Sequence, residues 1–164
     1  MKYRARINFP DTNFFDENNS FLFGVRKKKK YYFFGVKNTA KIIDVHENIL
    51  MEFEYKISFF LSRISEFKII NQNFNDNIEL KEINKKLHLF VNENDIHIKD
   101  KSIFVGFYKG KIILNGIEFA QIKETGKLLN PKTTYNFNFL TNGNINFYCL
   151  ILFALHSIEF QVGD

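Results

Sequence analysis

The segment Phe147-Tyr148-Cys149-Leu150-Ile151-Leu152-Phe153-Ala154-Leu155 is apolar without a break, and it constrains the fold more than any other feature. As a helix it would be apolar on every side, and such helices are buried within protein or lipid. A bilayer span takes about 20 apolar residues, which this run does not reach. Ile145 to Phe160 is therefore expected inside a protein core. Asn144 follows Asn142-Gly143 and is suited to cap a helix start. A buried strand is the rival reading, because periodicity does not separate the two in a continuous apolar run.

The residues before this tail read as strands. Tyr3, Ala5, Ile7 and Phe9 share one parity, and Arg4, Arg6 and Asn8 the other. Met51, Phe53, Tyr55 and Ile57 alternate with Glu52, Glu54 and Lys56, and Tyr135, Phe137 and Phe139 with Asn136 and Asn138. Period-two alternation marks a strand with one face on a core and one in water. Phe67 to Ile69 and Ile96 to Ile98 read the same way. Asn115-Gly116 and Asn142-Gly143 suit tight hairpins that need positive φ. Val45-His46-Glu47-Asn48 and Asn73 to Asn77 are polar breaks, hence turns. With 21 phenylalanines and no tryptophan among 164 residues, the composition also leans toward half-buried pleated surfaces.

A long antiparallel meander followed by an all-round apolar helix suggests one solution. A sheet that closes on itself loses its edges, and a large closed barrel needs a filler. The helix is that filler. The chain holds few glycines, two prolines and no linker-like stretch, so residues 1–164 read as a single domain.

Two stretches also resemble the tubby C-terminal-like superfamily, which includes the LURP-one-related proteins and the phospholipid scramblases. Lys41-Ile42-Ile43-Asp44-Val45-His46-Glu47-Asn48-Ile49-Leu50-Met51-Glu52-Phe53 is similar to that family's paired strands around a D-x-x-x-N turn, and Lys56 to Ile69, with Arg63, continues it. Ile112 to Lys123 resembles its late hairpin, x-G-x-x-x-A-x-I-x-K. Thr134-Tyr135-Asn136-Phe137 looks like its penultimate strand, and the apolar tail takes the place of its terminal helix. The likeness covers residues 41 to 160. It implies a mainly β fold: a closed antiparallel β-barrel of about twelve strands around a buried apolar C-terminal helix, which strands of about five to six residues fit. Functions differ across the family, from phosphoinositide binding by tubby domains to the lipid movement linked to scramblases. No phosphoinositide-binding residue of the family maps onto a position here, and fold analogy alone is a weak warrant for function.

The least ordinary local feature is Arg26-Lys27-Lys28-Lys29-Lys30, between Phe21-Leu22-Phe23 and Tyr31-Tyr32-Phe33-Phe34. Each basic residue near an anionic bilayer contributes about 1 kcal/mol, and aromatics settle at the interface. Arg26, Lys27, Lys28, Lys29, Lys30, Tyr31 and Tyr32 are thus the candidate lipid- or anion-binding residues. The competing readings are a solvated hairpin tip between core strands, and a track for single-stranded nucleic acid. The 23 basic residues are offset by 18 acidic ones, a net charge of +5, and a nucleic-acid binder usually has a broader basic footprint.

No other group of residues announces chemistry. His46, His88, His97 and His156 are not spaced from one another or from Cys149 as zinc ligands usually are, so no metal or other cofactor is expected. His156 needs a hydrogen-bond partner or a place at the barrel mouth. Asp11, Asp16 and Glu17, and Glu93, Asp95 and Asp100, lack calcium-loop spacing and read as solvated loop acids. There is no nucleophile elbow, P-loop or dinucleotide glycine pattern, and no enzyme is expected. Cys149 is alone and cannot form an intramolecular disulfide, which favours a reducing, cytoplasmic setting. The N-terminus lacks the apolar stretch of a secretory signal. The expected function is a non-enzymatic binding or scaffold domain, with anionic phospholipid headgroups at the inner membrane face as ligand. The alternative is a protein-interaction module such as a small inhibitor or immunity-type protein, with the Glu52/Glu54/Lys56 strand as one plausible edge.

Overall fold

The computed structural model describes residues 1–8, 11–32, 35–58, 63–84, 86–101, 108–125 and 132–160, with the backbone alone at 29–32, 35–37, 57–58, 63–66, 101, 132 and 158–160. Twelve strands precede one helix. They are β1 (Lys2–Asn8), β2 (Asp11–Phe15), β3 (Phe21–Tyr32), β4 (Gly35–Ile43), β5 (Ile49–Ser58), β6 (Arg63–Gln72), β7 (Ile78–Ile83), β8 (Lys86–Val91), β9 (Asn94–Lys101), β10 (Lys109–Leu114), β11 (Ile117–Thr125) and β12 (Lys132–Phe139), followed by α1 (Ile145–Phe160).

All twelve strands form one antiparallel sheet in the order β6-β5-β4-β3-β2-β1-β12-β11-β10-β9-β8-β7. Consecutive strands are neighbours except β6 and β7, and one further ladder joins strands distant in sequence. The β1–β12 ladder, with Tyr3 opposite Phe137 and Ala5 opposite Tyr135, joins the two ends of the meander. β6 and β7, consecutive in sequence, lie at the two ends of the order and leave a seam. The result is a nearly closed barrel, and α1 runs through it.

The alternating segments fall as their parity requires. Tyr3, Ala5, Ile7, Met51, Phe53, Tyr55, Tyr135, Phe137 and Phe139 are buried. Phe9 and the Ile57 side chain lie outside the described residues. On α1 every residue from Tyr148 to Leu155 is at most 7% exposed. Successive helix positions point about 100° apart, so a helix buried at eight positions in a row is enclosed on all sides. That settles helix against strand for the tail. The phenylalanines fill the space between helix and wall. Phe153 lies 4.8 Å from Phe137 and 5.0 Å from Tyr135, ring centre to ring centre. Phe147 packs edge-on against Phe23 at 5.0 Å.

Asn and Asp build the turns at the end where α1 enters. Asp44 Oδ1 accepts the backbone N–H groups of His46 and Asn48, each at 2.8 Å, and Glu47 takes φ +63°. Asn115-Gly116 closes β10–β11 with both residues at positive φ, the geometry of a primed two-residue hairpin turn. Asn142-Gly143 does not form a hairpin. It lies between β12 and α1, where the Gly143 carbonyl accepts the Asn146 N–H at 3.0 Å. Asn144 gives its carbonyl to the Phe147 N–H at 3.1 Å, while the Asn146 side chain donates to the Thr141 carbonyl at 3.0 Å.

The loop between β6 and β7 is stapled across the seam. The Asn73 N–H donates to the Leu50 carbonyl at 2.9 Å, and the Asn92 N–H to the Asn77 carbonyl at 2.8 Å. Phe74 packs edge-on against Phe147 and Tyr148. The Tyr148 hydroxyl donates to Asp76, which ties the loop to the enclosed helix.

Candidate functional site

The basic block lies within β3 and is not a hairpin tip. It runs antiparallel to β4, with Arg26 opposite Lys41, Lys27 opposite Ala40 and Lys28 opposite Thr39. A strand sends consecutive side chains to opposite faces, so Arg26, Lys27 and Lys28 do not share one face. Val25 is buried, Arg26 and Lys27 are half-buried and Lys28 is exposed. Arg26 lies flat over Gly24, where an added Cβ would meet its Nη1 at 2.6 Å. Its Nη1 donates to Asn13 Oδ1 at 2.8 Å, and its Nε is 3.9 Å from Asp11. Across the same face Lys41 pairs with Glu52 at 3.7 Å. The side chains of Lys29, Lys30, Tyr31 and Tyr32 lie outside the described residues. Among the candidates that are described, the block is divided between faces and partly neutralised.

A more coherent cationic surface forms where the first and last strands meet. The β1–β12 and β12–β11 ladders put Arg4, Asn136 and Lys123 in one row across three strands. Lys2, Asn138 and Gln121 form the next row. An open groove of about 410 Å³ is lined there by the cations Lys2, Arg4 and Lys123, the acids Asp16 and Glu17, and Tyr3, Thr125, Asn136 and Asn138. Among the described residues, Lys2, Arg4 and Lys123 hold no ion pair. Asp16 is occupied at its own turn, accepting the Ser20 N–H at 2.7 Å. Asn136 is oriented by donating to Thr125 Oγ1 at 3.0 Å. Arginine and lysine beside oriented amides suit a phosphate or carboxylate. The sequence offers Arg4 as a solvent-facing residue, but only the β1–β12 pairing puts it beside Lys123.

Two further clusters gather residues that look isolated in sequence. At the C-terminal part of α1, His156 Nε2 lies 3.2 Å from Asp100 Oδ1, which supplies the partner that a histidine in the tail requires. Tyr108 donates to the same carboxylate at 2.5 Å. Burial alone would raise the Asp100 pKa, but the hydrogen bonds from His156 and Tyr108 outweigh it and hold the carboxyl below its ordinary range. Burial, then the Asp100 hydrogen bond, pushes the Tyr108 hydroxyl far up. Gly110 leaves room for that ring, since an added Cβ would meet its hydroxyl at 2.5 Å.

The second cluster is on the outer face of the β8–β9 hairpin. His88 is directly opposite His97. Their rings stack with centres 4.5 Å apart. His88 Nδ1 lies 2.7 Å from Asp95 Oδ1. Burial, then the proximity of His88, depresses the His97 pKa against the opposing pull of Asp95. Asp95 and Asp100 are therefore not simple solvated loop acids. A two-residue turn at Asn92-Glu93 would have revealed the pair, because each histidine stands three residues from the strand end at the turn. Asn92 adopts φ +53° there.

No protein-family model, curated protein or solved structure matches the chain. Among the described residues, no helix is long and apolar enough to cross a membrane.

Proposed function

We propose that this protein is a non-enzymatic binding domain that receives anionic headgroups at a phospholipid surface in the groove across β1, β12 and β11. The carrying observation is the row Arg4–Asn136–Lys123 with Lys2 beside it, cations not committed to carboxylates in a groove large enough for a headgroup. The filled barrel interior supports a ligand site on the outer wall. The element order, a long meander ending in an enclosed helix, supports reading the chain as a distant tubby C-terminal-like domain. A cytoplasmic protein associating peripherally with the inner membrane face fits the single buried cysteine.

Co-sedimentation with phosphatidylcholine vesicles, with and without phosphatidylserine, tests this reading. Binding is expected only to the anionic vesicles and is expected to weaken with salt. At about 1 kcal/mol per basic residue, Arg4→Gln with Lys123→Gln lowers the partition about thirtyfold, whereas Lys28→Gln has a smaller effect. Equal sedimentation with neutral and anionic vesicles at low salt rejects the proposal.

The edges favour a second reading, a protein-interaction module. β5, with Glu52, Glu54 and Lys56, is interior to the sheet, between β4 and β6. The edges are β6 and β7, where Ile70 is 49% and Ile83 38% exposed. Pull-down with an Ile70→Lys comparison distinguishes this reading, since a partner seated on the seam is lost in that variant.

A further inference from the structure

The β8–β9 hairpin brings two imidazoles and a carboxylate to one spot on the outer wall, away from the cationic groove. We propose that His88, Asp95 and His97 form a binding site for a divalent transition-metal ion of the zinc type. One ring nitrogen from each of His88 and His97 and an Asp95 oxygen all lie within 4.8 Å of one another. A tetrahedral zinc ion with bonds of about 2.0 Å puts its ligand atoms about 3.3 Å apart, so small side-chain rotations close the site. Two nitrogens and one oxygen suit zinc, nickel or copper, whereas calcium and magnesium take oxygen ligands.

A second observation points to the same place. His97 Nδ1 is buried and has no hydrogen-bond partner. A buried polar atom left unpaired is costly, and a metal ion shared with Asp95 would satisfy it. Asp95 Oδ2 lies 4.0 Å from that nitrogen, while Oδ1 is held by His88.

The frame is firm. The Asp95 N–H donates to Asn115 Oδ1 at 2.9 Å, and the Asn115 N–H returns to the Asp95 carbonyl at 2.9 Å. β8 is flanked by β7 and β9, and β9 by β10. The His97 and Asp95 side chains remain 20% and 33% exposed, which leaves an entry route and an outer coordination position for water. Lys86 and Lys99 act on His97 from nearby and temper the affinity for a dication.

The experiment is calorimetric titration of the tag-free, chelator-treated protein with zinc chloride, backed by cobalt(II) absorption on the unaltered chain. One equivalent is expected to bind, with visible bands of a low-symmetry cobalt site. At a hundredfold excess over the dissociation constant, the melting temperature rises by about 5–10 °C. His97→Ala and Asp95→Asn, checked for folding by circular dichroism, each weaken binding at least about tenfold, and His46→Ala leaves it unchanged. The proposal is overturned by no zinc binding up to about 1 mM, the weak end of specific affinity. It is equally overturned by binding that survives in His97→Ala and Asp95→Asn, or by binding lost in His46→Ala.

Discussion

Alanine substitution at four consecutive positions of α1 tests whether the helix is enclosed. Leu150, Ile151, Leu152 and Phe153 sample the helix circumference at steps of about 100°. Each is 0% exposed. A helix resting on one side of a sheet would have at least one tolerant position in the set. An enclosed helix has none. Truncation of a buried leucine or isoleucine to alanine costs about 2–5 kcal/mol, and of phenylalanine about 3–5. Phe153 belongs at the upper end, because its ring meets Phe137 at 4.8 Å, Tyr135 at 5.0 Å and Phe14 at 6.5 Å. Domains are stable by about 5–15 kcal/mol, so each change removes a large share of the total. The assay is urea unfolding followed by circular dichroism and tyrosine fluorescence, with the slope compared across variants to check that only stability changed. A cost below about 0.5 kcal/mol at any of the four, the range of surface substitutions, would refute enclosure.

Two more outcomes follow from buried groups. Cys149 is fully buried, and burial pushes its thiol up to about 12. At pH 8 its labelling by a disulfide reagent is expected to be at least about a thousandfold slower in the native protein than in urea, where the pKa returns to about 8.5; rapid native labelling contradicts the burial. Asp100 has a folded pKa below its unfolded value. Its stabilising contribution is therefore complete above the unfolded value of about 3.9 and is lost as the pH falls through the lower folded value. The melting temperature of Asp100→Asn should thus lie below that of the unaltered protein at about pH 5, and the gap should shrink toward pH 2. A gap of the same size at both ends would show that Asp100 acts only through packing.

The clearest features in the sequence were those written in local periodicity. Alternation at Tyr3 to Ile7, Met51 to Tyr55 and Tyr135 to Phe139 identified the inward faces of three strands. The unbroken run in the tail identified the enclosed helix. Asn115-Gly116 marked its turn because its backbone needs φ values that few residues adopt readily. Asn142-Gly143 carried the same dipeptide and made no hairpin, because a helix follows it and not a second strand. The described part of the basic block, Arg26 to Lys28, is divided between faces for a related reason. Adjacency in sequence reads as a cluster, yet a strand divides adjacent side chains between faces. The histidine pair stayed hidden because an unrecognised turn lay between its members.

What the sequence determined by itself is thus the class of object: a β meander with one segment too apolar to lie anywhere but inside. Burial preference is local and additive, and can be read residue by residue. What only the tertiary structure decided is which side chains meet. β1 joins β12 across most of the chain and puts Arg4 beside Lys123. β8 meets β9 in the register that sets His88 against His97. His156 reaches Asp100 because α1 runs inside the wall that carries β9. These meetings depend on strand order, register and closure. A sheet could satisfy the same alternation in many registers, and the pairing of the whole barrel selects one.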